Sequence, residues 1–194
     1  TMAQLLDDFT AARAENLAQL RAMQLTHADL ARRGMHPALG EVTLEQLLTH
    51  RGGAPGSLDA GGLWGRLWGR KGSATEQRME LVEGVVTKPP VNPPGTKFEY
   101  ANAGYAIAGA MAEKVTGRAW EELIQEKVFK PLGITSAGFG APGSKEKVDQ
   151  PRGHQQNGAP MEPGIDADNP PSIGPGGTVH MTMGDWAKFV LAHV

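Results

Sequence analysis

The sequence predicts a mainly α-helical chain with minor antiparallel β structure. Three observations carry that prediction. Apolar residues recur at three- and four-residue steps over several long windows. Ser or Thr, followed three residues later by Glu, Gln or Asp, heads most of them, as helix capping requires. The 26 glycines and 14 prolines are segregated, and only Gly34, Pro37 and Gly40 precede Arg51. Turn-rich connections therefore concentrate beyond that point.

The elements follow in order. Met2, Leu5, Leu6, Phe9, Ala12, Leu17, Leu20 and Met23 lie on one face of an amphipathic helix. Thr26 with Asp29 opens a short helix that Gly34 ends. Thr43 with Gln46 forms a capping box for a helix from Leu44 to His50, stopped by Gly52 and Gly53. Ser73 with Glu76 opens a third, running to about Thr87, beyond which Pro89 and Pro90 forbid continuation. Pro93 to Thr96 reads as a rigid turn and Lys97 to Tyr100 as a short extended piece. Asn102 caps a helix of small residues, Ala103 to Thr116, which Gly117 ends. Small side chains admit close neighbours, so this helix is expected at the centre. Trp120 to Lys130 is amphipathic and ends at Pro131. Asn157-Gly158 predicts a hairpin turn, and Thr182 with Asp185 starts a last helix, Trp186 to Val194.

Composition excludes several classes. With 40% hydrophobic and 21% charged residues, the chain is neither disordered nor collagen-like. A formal net charge of -2 gives no electrostatic reason to seek nucleic acid. Without cysteine there is no disulfide, thiol nucleophile or thiolate metal site. No apolar run approaches the roughly 20 residues that span a bilayer, so no membrane partner is expected. Thr1 to Thr10 carries Asp7 and Asp8 and no basic region. That is no signal peptide, and the chain as it stands is expected to be cytoplasmic.

Four stretches carry a family resemblance: Val42 to Gly53, Pro94 to Tyr105 with its Tyr-x-Asn triplet, Glu122 to Thr135, and the Gly-rich Gly174 to Trp186. In this order they resemble the serine hydrolases related to class C β-lactamases, penicillin-binding proteins and esterases of that fold. The resemblance implies the helical and loop region of the β-lactamase/transpeptidase-like α+β fold over residues 41–194. It also implies a small-molecule ester or amide substrate, and no cofactor or metal. A tyrosine, with a reference pKa near 10, is a useful base only beside a cation. In this family the cation is a lysine one helical turn after the nucleophilic serine. By resemblance Tyr100 is the base and Asn102 orients lysine or substrate. Local sequence alone favours plainer roles: Asn102 as an N-cap, and Tyr100 as a buried aromatic at a strand end.

The chain departs from the family in its nucleophile. No serine precedes Ser57, and the Ser-x-x-Lys from Ser144 to Lys147 reads as a charged loop. No His-x-Gly or Lys-Thr-Gly follows Tyr100, and His50-Arg51-Gly52 spells the pattern in the wrong place. If complete, the chain is expected to be a remnant, dead or severely impaired in catalysis. One alternative is a non-enzymatic oligomeric helical module or pseudo-enzyme scaffold, joined through its N-terminal helices or an exposed apolar face. Another is an active esterase with a relocated nucleophile, Ser144 or Ser57.

Residues 1–40 resemble instead the helices of DinB-like bundle proteins, which implies one or two amphipathic helices and a fusion or mosaic. That family binds metal through histidines, but its later His-Asp-x-x-His signature does not appear here. The six histidines show no metal-ligand spacing and read as surface or hydrogen-bonded groups. Asp166, Asp168 and Asn169 lack the Gly and Glu of a calcium loop. Trp64, Arg66, Trp68 and Arg70 read as a loop over the cleft or a helix whose tryptophans seal the core.

Overall fold

The computed structural model describes residues 33–36 and 40–193. The helix expected over Met2 to Met23 lies outside them. The fold is mainly helical, with two small antiparallel β ladders.

The first ladder pairs β1 (Arg33–His36) with β2 (Gly40–Thr43), Gly34 opposite Val42 and Met35 opposite Glu41. The short helix expected to open at Thr26 lies outside the described residues except for Arg33 and Gly34, which stand in β1. Glycine weakens a helix, and Val42 and Thr43 are β-branched, so both segments suit a ladder better. Helix α1 (Leu44–Leu48) follows directly. Its capping box is the predicted one: Gln46 N–H donates to Thr43 Oγ1 at 3.1 Å, and Thr43 N–H to Gln46 Oε1 at 2.9 Å.

Helix α2 (Leu63–Leu67) and helix α3 (Ala74–Val86) come next. The Ser73–Glu76 box heads α3, and Thr87 closes it, as the sequence predicts. Helix α4 (Asn102–Thr116) ends on Gly117 at φ 69°. It is central because it is small. Ala103, Gly104, Ala106, Ala108, Gly109 and Ala110 are all buried. A β-carbon on Gly104 would stand 3.0 Å from the Leu47 carbonyl oxygen, which measures how closely α1 approaches. One core cluster joins Leu63, Leu67, Leu81, Val85, Ala103, Ala106 and Ile173, with Trp64 packed against it. The fully buried leucines each contribute about 1.5–3 kcal/mol. A second cluster joins Val42, Leu47 and Ala108.

Helix α5 (Trp120–Ile124) does not continue as α-helix to Lys130. Gln125–Phe129 widens into a π-helical turn, in which Lys130 N–H reaches Gln125 O at 2.9 Å. Pro131 supplies no N–H to an α ladder, and Phe129 is buried beside Phe139, so the wider turn satisfies both. Asn157-Gly158 makes the predicted turn, with Gln155 N–H on Ala159 O at 2.9 Å.

A short 3-10 turn, Pro171–Ile173, leads into helix α6 (Gly174–Gly177). The second ladder pairs β3 (Gly138–Phe139) with β4 (Val179–His180). Helix α7 (Met183–Leu191) begins three residues earlier than predicted, because Thr182 is its N-cap and the helix starts immediately after it. No helix among the described residues is long and apolar enough to cross a membrane.

Candidate active site

The Tyr-x-Asn triplet sits where the end of α1 meets the start of α4. Helix α1 stops at Leu48, not His50. His50 adopts φ 57°, its N–H bonds to Leu47 O at 3.2 Å, and Arg51 N–H bonds to Gln46 O at 2.7 Å. That pair of bonds around a left-handed residue is a Schellman stop. Gly52 and Gly53 follow it and do not make it.

His50 then holds the triplet's segment. Its carbonyl accepts Glu99 N–H at 2.8 Å, and its Nδ1 accepts Ala101 N–H at 3.1 Å. Its ring lies 4.4 Å from Tyr100, 5.2 Å from Tyr105 and 5.5 Å from Phe98, centroid to centroid. The Tyr105 hydroxyl donates to Leu48 O at 2.9 Å, tying α4 to α1. The sequence placed His50 among six undistinguished histidines. No local signal marked it, because Gly52 and Gly53 read as the helix stop.

Tyr100 and Asn102 depart from the plainer local readings. Tyr100 is 60% exposed and lies in no strand, so it is not a buried strand-end aromatic. Asn102 is the first helical residue of α4. The N-cap is Ala101, which makes no side-chain cap, so the expected capping by Asn102 is corrected. Helix α6 approaches it closely: a β-carbon on Gly176 would stand 3.3 Å from Asn102 O and 3.5 Å from its Oδ1.

Asn102 lines a cleft of about 350 Å³ with Ser57, Asp59, Trp64, Asn169 and Ile173. Tyr100 does not line it. Outside the cleft, Arg70 holds the chain at Asn169, donating to Asp168 O at 2.7 Å and Asn169 O at 3.5 Å while its guanidinium sits 5.0 Å from the Trp68 ring. Of the tryptophans, Trp64 faces the core and cleft, as one of the two sequence readings has it.

The two candidate serines differ in setting. Ser57 lines the cleft, and its Oγ donates to Asp59 Oδ2 at 2.8 Å. Ser144 sits in a turn bridged to Lys147 and does not line the cleft. His50-Arg51-Gly52 lies in the loop after α1, not on a strand. A larger cavity of about 540 Å³, lined by Arg70, Glu121 and Lys145, does not include Tyr100 or Asn102. Among the described residues, no three His, Asp or Glu side chains are placed to hold a metal ion.

The chain resembles penicillin-binding protein 4 of Amycolatopsis lactamdurans, 29% identical over 157 residues, covering 79% of this chain and 38% of that one. It resembles the lovastatin esterase of Penicillium rubens, 34% identical over 105 residues, covering 53% of this chain and 25% of the relative. It spans well under half the length of both. Its fold matches a D-stereospecific amidohydrolase from Streptomyces sp. with a TM-score of 0.63 at 23% identity, over 94% of this chain and 57% of that one. It also matches an octameric penicillin-binding protein homologue from Pyrococcus abyssi, with a TM-score of 0.59 at 24% identity, over 95% of this chain and 42% of that one. The match to a family begins at residue 17, not residue 41, and so takes in much of the stretch that resembles DinB-like bundles. Over residues 17–194 that family is Beta-lactamase, and the chain belongs to it.

Proposed function

We propose that residues 41–194 form the helical lobe of a serine hydrolase that transfers the acyl group of a small-molecule ester or amide to water. Tyr100 serves as general base and Asn102 orients the family's lysine or the substrate. The observation behind this reading is the cleft at the head of α4, where Asn102 stands against Gly176 of the Gly-rich stretch. The names of the relatives point to both ester and amide chemistry. Residues 17–40 are taken with the same family, since the family match includes them.

In the proposed reaction a serine hydroxyl adds to the carbonyl, the Tyr100 oxygen takes its proton, and the alcohol or amine leaves with that proton returned to it. Water then releases the acyl group by the same route. These 194 residues hold no Ser-x-x-Lys ahead of Tyr100. By themselves they are dead or severely impaired, because removing a nucleophile costs many orders of magnitude in rate.

Labelling with a fluorophosphonate, read by intact mass and peptide mapping, tests this. No adduct is expected on the folded chain. A stoichiometric adduct on one serine overturns the claim of inactivity. A second reading, a relocated nucleophile, has one observation in its favour. Ser57 shares the cleft with Asn102, so an adduct there, abolished by Tyr100→Phe, establishes it. A third, an oligomeric scaffold, draws on the exposure of Met183, Trp186 and Val190 along α7. A mass independent of concentration in light scattering removes that reading.

A further inference from the structure

We propose that His50 is the positioning residue of the Tyr100–Asn102 segment, and that it holds the segment only while its ring is neutral. The proposal rests on the reading of Tyr100 and Asn102 as the polar pair of the site.

The residue after a helix stop of this kind is usually glycine, because a β-carbon is crowded at positive φ. Here a histidine accepts that crowding at φ 57°. What the side chain does there is specific. Nδ1 accepts Ala101 N–H at 3.1 Å, while the His50 carbonyl takes Glu99 N–H at 2.8 Å. Two alternate N–H groups of one segment are thus bound by one residue, and Tyr100 lies between them with its ring 4.4 Å from the imidazole. Unlike Tyr100, Ala101 is buried, 2% exposed, so water does not readily replace a lost acceptor.

A neutral imidazole accepts at Nδ1 only when Nε2 carries the proton. A protonated ring has two donors and no acceptor. Protonation therefore sets an N–H of His50 against the N–H of Ala101, and the segment loses its side-chain anchor. The titratable groups in ring contact with His50 are the phenols of Tyr100 and Tyr105. The charged residues nearest in chain on the packed elements are Glu45 and Arg51 beside α1, and Lys97 and Glu99 on the segment itself. On α4 the charged residues, Glu113 and Lys114, lie at the far end of the helix. None of these groups is in an ion pair with His50 among the described residues.

The test is a pH titration of the isotope-labelled chain by NMR, from about pH 8 to about pH 5, the range in which histidines change charge. It follows the His50 ring, the Ala101 amide and the Tyr100 ring in the same samples. All three are expected to inflect together, with Ala101 amide exchange, corrected for its intrinsic pH dependence, about tenfold less protected below the inflection. His50→Asn keeps an acceptor that does not titrate, and Asn tolerates positive φ. Its Ala101 amide should stay protected throughout. His50→Gly relieves the backbone and removes the acceptor, so its Ala101 amide should be fast at every pH.

Ala101 and Tyr100 signals that stay flat while the His50 ring titrates overturn the proposal. So does a protected Ala101 amide in His50→Gly. Should a variant not fold, the wild-type titration decides alone. Tyr100→Phe removes the phenol that the proposed chemistry needs and should leave the Ala101 profile intact. Failure of the functional reading is thereby separable from failure of this one.

Discussion

Arg78 of α3 and Glu113 of α4 meet at 2.8 Å inside the helical core, with Arg78 fully buried. Glu113 Oε1 also accepts Thr75 Oγ1 and Trp120 N–H, each at 2.9 Å. The other arm of Arg78 reaches Glu121 and the carbonyl of Pro171. One guanidinium thus ties α3, α4 and α5 to the turn that leads into α6. Arg78→Met leaves two carboxylates with no cation, and breaking a buried pair from one side costs about 3–5 kcal/mol. Urea unfolding should show that loss. Adding Glu113→Gln and Glu121→Gln should recover part of it, because the uncompensated charge goes.

Gly109 packs α4 directly against Pro175 of α6. A β-carbon there would run into the Pro175 ring and stand 3.6 Å from Arg78 Cδ. Gly109→Ala must push α6, and with it Gly176, away from Asn102. Overpacking of this kind costs about 1–3 kcal/mol. The urea midpoint should fall, and the Asn102 side-chain amide resonances should shift. Gly65 is the contrast: it lies inside α2 with no atom within 4 Å of its added β-carbon. Gly65→Ala should stabilise by about 0.5–1 kcal/mol.

How much of this was legible depended on distance along the chain. The capping boxes Thr43–Gln46 and Ser73–Glu76 span three residues, and both are present as read. The small-residue pattern of α4 was legible because burial follows from size. The Arg78 pairs were not, since their partners lie 35 and 43 residues away. Nor was the stop of α1: Gly52 and Gly53 drew attention past His50, whose backbone is set by bonds to Leu47 and Gln46 and by the segment it carries. For the site, the Tyr-x-Asn triplet was legible by motif. Its division between an exposed Tyr100 and a cleft-lining Asn102 was not.

Ser73 accepts Glu76 N–H at 3.2 Å, and Glu76 returns a bond to Ser73 N–H at 2.7 Å. The Ser73 N–H first, and then the Ser73 hydroxyl, which donates to Glu76 Oε2 at 2.8 Å, hold the Glu76 carboxyl below its ordinary range. Ser73→Ala removes the cap and should cost about 1 kcal/mol. Ser73→Thr keeps both the acceptor and the hydroxyl donor and should recover most of it. Both are readable as shifts in the thermal midpoint, without change in the helix content at low temperature.

Asp185 gives the chain a pH dependence whose sign is fixed by geometry. Lys188 Nζ bonds to its Oδ1 at 2.6 Å, and Oδ2 accepts the Ser136 hydroxyl at 2.7 Å, Ser136 N–H at 2.8 Å and Thr135 N–H at 2.9 Å. The Lys188 bond first, and the Ser136 bonds after it, hold the carboxyl far below the usual carboxylate range. In the unfolded chain Asp185 protonates near the ordinary value of about 3.9. The contribution of this lowered group is therefore fully present above that value. It is lost progressively as pH falls through it toward the folded-state value. Urea midpoints taken between about pH 6 and about pH 2.5 should fall on the acid side. Asp185→Asn should be less stable at neutral pH, and its midpoint should change less over the same interval. If the two curves stay parallel down to the lowest pH, Asp185 is not the group that ties the Thr135–Ser136 turn to α7.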